Sequence, residues 1–159
     1  MKIPFKQKKL SAAVYKNLCK VLDEDGVKYT KNKKKLSLNC IMRGKNTPVG
    51  LNAIVDANPM ILLAMSPLVF VVPKERRDVV AVAVSDVNAY LSDGHFDFNY
   101  QTGEIVFRIV LCFANSIISK QTLRYITSTV LKTVDSYNDK LMAIATNDSS
   151  IEDALKLLR

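Results

Sequence analysis

Residues 73–113 decide the fold, and they read PKERRDVVAVAVSDVNAYLSDGHFDFNYQTGEIVFRIVLCF. Pro73 suits the first turn of a helix, because the N–H that proline lacks would have no partner there. The β-branched run 79–84 is also compatible with a buried strand, but the length of the segment and its charged start favour a helix. Apolar residues then follow at helical spacing along one stripe, at Val80, Ala83, Val84, Val87 and Leu91. This half of the stretch therefore predicts a helix that ends before a turn at residues 92–94.

The second half of the stretch predicts a β-hairpin. Aromatic residues alternate with polar residues from 96 to 100, which is the period of a strand with one solvated face. Gly103 supplies the positive φ that the connecting turn needs. Along residues 104–113 one face is apolar throughout, whereas the other starts polar and ends with Val110 and Cys112. A strand that is apolar on both faces must be covered by helices, by a second copy or by a partner.

Caps, turn residues and hydrophobic periodicity predict the remaining elements of the chain. These are a helix from a Ser11 cap to Asp25, a hairpin of strands 27–30 and 35–42, a strand 49–57, a buried run from Met60, a long helix from a Ser119 cap to a break at Asn147-Asp148, and a short helix 151–158 with a Ser150/Asp153 capping box. The predicted fold class is α+β, with an antiparallel sheet of five or six strands and three main helices.

Five short segments of the sequence resemble the YbjN family of bacterial proteins, which is described as a family of sensory transduction regulators. The segments are Val72-Pro73, Asn88, Gly94–Asp97, Gly103–Arg108 and Ile118-Ser119, and the likeness extends from about Leu10 to Leu155. The resemblance implies a type III secretion chaperone-like fold and a non-enzymatic regulatory role. It also implies a homodimer, because the secretion chaperones pair. Since the matching segments are packing motifs, they indicate a fold more strongly than a biochemical role.

Length and composition indicate one domain, residues 1–159, with a loosely ordered basic N-terminus at residues 1–10. A chain of this length buries roughly 68–70% of its unfolded surface, which is enough for one core. No targeting segment is visible, and the most apolar run, Met60 to Val72, has 13 residues and is expected to break at Ser66-Pro67. A membrane-spanning helix needs about 20. We therefore expect a cytoplasmic protein that does not engage a membrane.

The search for catalytic residues leads to a single histidine, His95, beside Asp97 on the solvated face of the predicted hairpin. One histidine cannot form a paired-histidine metal site, and the sequence contains no phosphate-binding, zinc-protease or nucleophile-elbow motif. The acidic run Asp23-Glu24-Asp25 is interpreted as a solvated helix end. Three cysteines without a CxxC pair, Cys19, Cys40 and Cys112, predict reduced core thiols. We therefore expect no enzyme, no cofactor and no metal site.

Charge is concentrated in the first third of the chain. Residues 1–45 contain 13 Lys or Arg against three acids, a net charge of +10, whereas residues 46–159 have a net charge of −2. Such a distribution attracts anionic partners, although lysines on a hairpin also prevent edge-to-edge aggregation and keep a chain soluble. The residues predicted to form a patch for an anionic partner are Lys28, Lys31, Lys33, Lys34, Lys35, Arg43 and Lys45.

Two functions of different class stay open at this point. In the first, the domain binds another protein or a peptide segment, either by adding a strand to a sheet edge or by laying a helix on the apolar face of the sheet. A second copy of the chain is one such partner. In the alternative, the basic N-terminal third binds nucleic acid. Tyr29 is the only aromatic residue near the lysines, and lysine outnumbers arginine there, which weakens the alternative.

Overall fold

A six-stranded antiparallel sheet with helices on one face forms the architecture of the chain. The structure is a computed structural model that describes residues 3–114, 116–148 and 150–159. Its elements are α1 (Phe5–Glu24), β1 (Tyr29–Asn32), β2 (Ser37–Arg43), β3 (Pro48–Ala57), β4 (Met60–Val71), α2 (Arg77–Tyr90), β5 (His95–Phe98), β6 (Glu104–Cys112), α3 (Lys120–Thr146) and α4 (Ile151–Leu158). The strands follow the spatial order β1-β2-β3-β4-β6-β5. The predicted α+β class, with three main helices, is confirmed.

The decisive stretch folds as predicted, with α2 followed by the β5–β6 hairpin. A 3-10 turn, Lys74–Arg76, connects Pro73 to α2, and the strand alternative for residues 79–84 is wrong. Near the end of α2, the Asn88 side chain donates to the Phe96 carbonyl (2.9 Å) and accepts from the Phe96 N–H (2.8 Å). Because β5 is an edge strand, Asn88 pairs backbone groups that an edge otherwise leaves open. The predicted helix stripe is buried at Val80, Ala83, Val84 and Val87.

The core lies between one face of the sheet and the helices. Alternate residues of the strands are buried on this face, and Leu51, Leu62 and Phe107 are at most 1% exposed. Helix α1 packs on β3, α3 packs on β3, β4 and β6, and α2 packs on β5 and α3. Helix α4 packs on α2 and α3. Within the described residues, no helix is long and apolar enough to cross a membrane.

The N-terminal helix and hairpin differ from their predicted boundaries. Helix α1 begins at Phe5, so residues 5–10 belong to its first turns, although residues 1–10 were expected to be loosely ordered. The predicted Ser11 cap is wrong, because Ser11 lies inside the helix and its hydroxyl donates to the Gln7 carbonyl. In the hairpin, the Asn32 side chain accepts the N–H groups of residues 34 and 35, which moves the turn two residues later than predicted.

Two other strand ends were also predicted incorrectly. Strand β5 ends at Phe98, two residues early, because the Asn99 side chain accepts the N–H groups of residues 101 and 102 and starts the turn there. Strand β4 continues through Ser66-Pro67, where a break was expected, to Val71. Its register with β6 is irregular between Pro67 and Val71. Proline is tolerated in a strand beside such an irregularity.

A buried aspartate of α3 holds the loop between β2 and β3. Asp135 accepts the backbone N–H groups of Lys45 (3.0 Å), Asn46 (2.8 Å) and Thr47 (2.9 Å). A side chain at Gly44 would overlap the Asp135 carboxylate and the Thr47 carbonyl, so the loop requires glycine there. This contact joins segments that are about ninety residues apart in the chain.

We expect Asp135→Asn to lower the melting temperature by several degrees at neutral pH. The Thr47 N–H, with those of Asn46 and Lys45, holds the pKa of Asp135 below its ordinary value. The carboxylate therefore contributes stability that is fully present above its ordinary pKa of about 4 and is lost as pH falls further. Thermal unfolding of both proteins between pH 2 and pH 7 measures this, and the two curves should converge at the acid end. A difference in melting temperature between the two proteins that stays constant down to pH 2 would contradict the ionic role of Asp135.

Candidate functional site

The face of the sheet opposite the helices is open, and its centre is apolar. Ile54 of β3 lies directly across from Leu63 of β4, which lies directly across from Val110 of β6. Val110 is 49% exposed and Ile54 is 36% exposed. Aliphatic side chains therefore form a continuous row across the three middle strands, on the side that no helix covers within the described residues.

The adjacent rows extend this apolar surface along the strands. Ile61 faces Cys112 in one neighbouring row, and Met65 faces Arg108 in the other. We call the whole set the open-face patch; it consists of Ile54, Ile61, Leu63, Met65, Val110 and Cys112. Val110 and Cys112 belong to the half of β6 that was predicted to become apolar on both faces, and this prediction is confirmed.

Charged residues border the open-face patch at the β5 edge. The His95 Nε2 atom lies 3.2 Å from Asp97 Oδ1, and Arg108 donates to Asp97 from Nε (2.6 Å). His95 also faces Arg108 across the two strands. His95 and Asp97, which lie beside each other on the predicted strand, are therefore in contact, and Arg108 is the third member of the group. In the described part of the chain, no three His, Cys, Asp or Glu side chains are placed to hold a metal ion.

The structure divides the predicted patch for an anionic partner into separate groups. Lys31 and Lys33 line a groove between α1 and the hairpin turn, together with Lys16, which the sequence did not indicate. Lys28 and Arg43 line a different cleft at the other end of the hairpin, against α1 and α3. The remaining members are exposed at the hairpin turn (Lys34 and Lys35) and in the β2–β3 loop (Lys45).

The acidic end of α1 binds α3. Lys120 donates to Glu24 (2.5 Å), and Arg124 binds both Glu24 (3.0 Å) and Asp25 (3.0 Å). Lys120, followed by Arg124, holds the pKa of Glu24 below its ordinary value. The carboxylates are exposed at a helix end, as predicted, but two of them pair with cations from residues 46–159. They therefore do little to offset the lysines of the first third.

The cysteines differ in their environments. Cys40 is buried and Cys19 is partly buried, whereas Cys112 is exposed, so the prediction of a core position is wrong for Cys112. Its side chain points to the open face because it occupies the outward position in the alternation of β6. Burial raises the pKa of Cys40 to about 11, which leaves very little thiolate at neutral pH.

We expect N-ethylmaleimide at pH 8 to label Cys112 at least about a hundred times faster than Cys40. The reason is that the thiolate fraction of a thiol with a pKa of about 11 is only about one in a thousand at that pH, and burial also hinders access. Peptide mass spectrometry over time measures both rates, and Cys112→Ser is the control. Equal rates in the folded protein would contradict the placement of the two thiols.

Six antiparallel strands with helices on one face and an open second face form a type III secretion chaperone-like fold. The chain is similar to YbjN from E. coli, described as a candidate transcription regulator, with a TM-score of 0.57 and 14% identity over 80% of this chain and 89% of that chain. It is also similar to a chain of the HopA1–SchA chaperone–effector complex, with a TM-score of 0.53 and 16% identity over 81% of this chain and 96% of that one. No family model and no curated protein matches the sequence. These likenesses confirm the predicted fold.

Proposed function

We propose that the chain is a non-enzymatic module that binds another protein or a peptide segment, and that the open-face patch is its binding site. The observation that carries this proposal is the row Ile54, Leu63 and Val110 across the middle of an uncovered sheet face. Contiguous apolar surface bordered by charge is typical of protein interaction sites. The similar chain from a chaperone–effector complex supports the same class of function.

The geometry favours a partner that lies across the face over one that adds a strand at β5. Asn88 already pairs with the backbone of Phe96 on that edge, so an incoming strand would have to displace it. A helix with one apolar side, or a second copy of the chain, matches a flat aliphatic row. The regulatory role of the YbjN type, the homodimer and the cytoplasmic location stay predictions. The two structural comparisons lend no support to the nucleic-acid alternative.

A photo-cross-linking residue at position 54 tests the proposal in cells of the native host. We expect an adduct between this variant and another protein, or a second copy of the chain, after irradiation. The matched control carries the same group at position 132, an exposed position of α3 on the helix side. Adducts at position 132 without any at position 54 would place the binding site elsewhere and overturn the proposal.

A further inference from the structure

A second surface, on the helix side of the sheet, has the features of a separate binding groove. It is a depression of about 320 Å³ between α1 and the turn of the β1–β2 hairpin. Its floor consists of Ala12, Tyr15 and Cys19 from α1 and Leu36 from the hairpin. The Tyr15 hydroxyl donates to the Ser37 carbonyl (3.1 Å) and ties the helix to the hairpin, so the floor is held in place from both sides.

The backbone at Leu36 is unusual for a leucine. Its φ is +47°, and Leu36 is the only residue other than glycine with a positive φ among those the structure describes. Glycine or asparagine adopts this conformation at lower energy. Residues held in such conformations cluster at binding sites. Here the strained position directs an apolar side chain to the groove.

Lysines surround the groove without acidic partners. Lys16, Lys31 and Lys33 line it, and no ion pair links them to an acid within the described residues. Of the three acids closest in sequence, Glu24 and Asp25 bind α3, and Asp23 interacts with the Tyr29 side chain. Protection of an edge strand explains Lys31 on β1, but it explains neither Lys16 on a helix nor the apolar floor between these two lysines.

We propose that this groove binds an acidic protein segment that carries an apolar anchor residue. The lysines complement the acidic side chains, and the recessed floor takes the anchor. A bilayer requires apolar groups that protrude, whereas this floor is concave. Single-stranded nucleic acid requires exposed aromatic rings for stacking, whereas Tyr15 is buried. The site is separate from the open-face patch and does not depend on the function proposed for it.

Selection of short random peptides displayed on phage, against the full chain, tests this proposal. We expect the selected peptides to be enriched in Asp and Glu on either side of an apolar residue. Their affinity, measured by fluorescence anisotropy, should fall as salt rises from low to physiological concentration. Selected peptides without an excess of acidic residues would overturn the proposal.

Charge reversal locates the peptides on the chain. The pair Lys31→Glu/Lys33→Glu is expected to weaken binding at least about tenfold, and the control pair Lys74→Glu/Lys132→Glu, with the same net charge, by less than about twofold. Leu63→Glu on the open face should have no effect on these peptides. Equal losses in both pairs would mean that only net charge matters and would contradict the site. So would a single-stranded oligonucleotide, or phosphatidylserine vesicles, binding through Lys31 and Lys33 while no acidic peptide is selected.

Leu36→Asn separates a role in binding from a role in folding. Asparagine suits a positive φ, so the melting temperature should stay the same or rise, because relief of strain offsets the lost packing. The affinity for selected peptides should nevertheless fall at least about fivefold, because the floor loses its largest aliphatic side chain. Unchanged affinity, whatever the melting temperature, would contradict the assignment of Leu36 to the groove.

Discussion

Gly94→Ala is expected to destabilise the chain by about 3 kcal/mol, whereas Gly26→Ala should cost only about 1 kcal/mol. Both glycines have a positive φ, +74° at Gly94 and +69° at Gly26, so both substitutions carry a similar conformational penalty. They differ in the space around the added methyl group. This difference of about 2 kcal/mol amounts to an additional fall of roughly 4–8 °C in melting temperature for a domain of this size.

The surroundings of Gly94 explain the larger effect. A Cβ atom there would lie 2.5 Å from Phe107 Cζ, 2.8 Å from Ile109 Cγ1 and 2.9 Å from the Arg108 carbonyl oxygen. Phe107 is fully buried, and its ring centroid lies 5.0 Å from that of Phe96, so it cannot move without disturbing the core. At Gly26 a Cβ atom would meet nothing within 4 Å.

Thermal and urea unfolding of the two variants beside the wild type measures this difference. Because Gly26→Ala is matched in φ, it reports the conformational penalty alone, and the excess in Gly94→Ala reports the collision with Phe107. Equal destabilisation of the two variants would show that the turn before β5 can move away from the core, contrary to the packing described above.

Leu63→Glu is expected to weaken binding of the natural partner about a hundredfold while leaving the free chain folded. Leu63 occupies the middle of the row between Ile54 and Val110, the position where an apolar partner would bury a carboxylate without a counter-charge. Loss of a central contact in an interface typically costs 2 kcal/mol or more, and about 2.8 kcal/mol corresponds to a hundredfold change. The melting temperature should fall by only a few degrees, since Leu63 is on the open face.

Two further variants sharpen this prediction. Leu63→Met keeps the volume and the apolar character and should bind as the wild type does. Leu63→Lys should lose as much affinity as Leu63→Glu, because the row demands an apolar side chain and not a particular charge. A partner that binds Leu63→Lys as tightly as the wild type would show that it does not contact the centre of the patch.

Local signals allowed most of the fold to be predicted. The apolar stripe of α2 and the glycines at 94 and 103 determine the conformation of residues close to them in the chain. They therefore predicted the helix and the hairpin correctly. The caps of α3 and α4 are of the same kind: Ser119 accepts the Thr122 N–H and Ser150 accepts the Asp153 N–H. Each of these two hydrogen bonds joins residues that are three positions apart, so the local sequence is sufficient to predict it.

Two kinds of contact could not be predicted from the sequence. The first joins residues that lie far apart in the chain, and the second is a side-chain hydrogen bond that competes with another local structure. The need for glycine at position 44 arises from Asp135, which lies far along the chain. Ser11 has the chemistry of a cap, but the helix propensity of the residues before it extends α1 across it. The position of the first hairpin turn depends on what accepts the N–H groups of residues 34 and 35, the Asn32 side chain or the neighbouring strand. The hydrophobic periodicity does not distinguish between these two acceptors.

The candidate sites were predictable only in part. The alternation of β6 placed Val110 and Cys112 together on its second face, but it could not say whether a helix would cover that face, and Cys112 was therefore predicted to be buried. The contribution of Ile54 and Leu63 depends on the register of three strands, which sequence spacing does not reveal. The lysine patch was predicted only from the number of charges in the first third of the chain. In the structure, Lys28 lines a different cleft from Lys31, and Lys16 lies beside Lys31.

Methyl NMR of the chain with and without the partner identified by cross-linking tests the binding claim most directly. Isoleucine, leucine and valine methyl groups are present on the open face at Ile54, Leu63 and Val110. They are also present in the core, at Leu18 of α1 and Ile144 of α3. The open-face methyl signals are expected to shift or broaden on binding while the core signals stay in place. Unchanged signals from Ile54, Leu63 and Val110 in the presence of a bound partner would contradict the account.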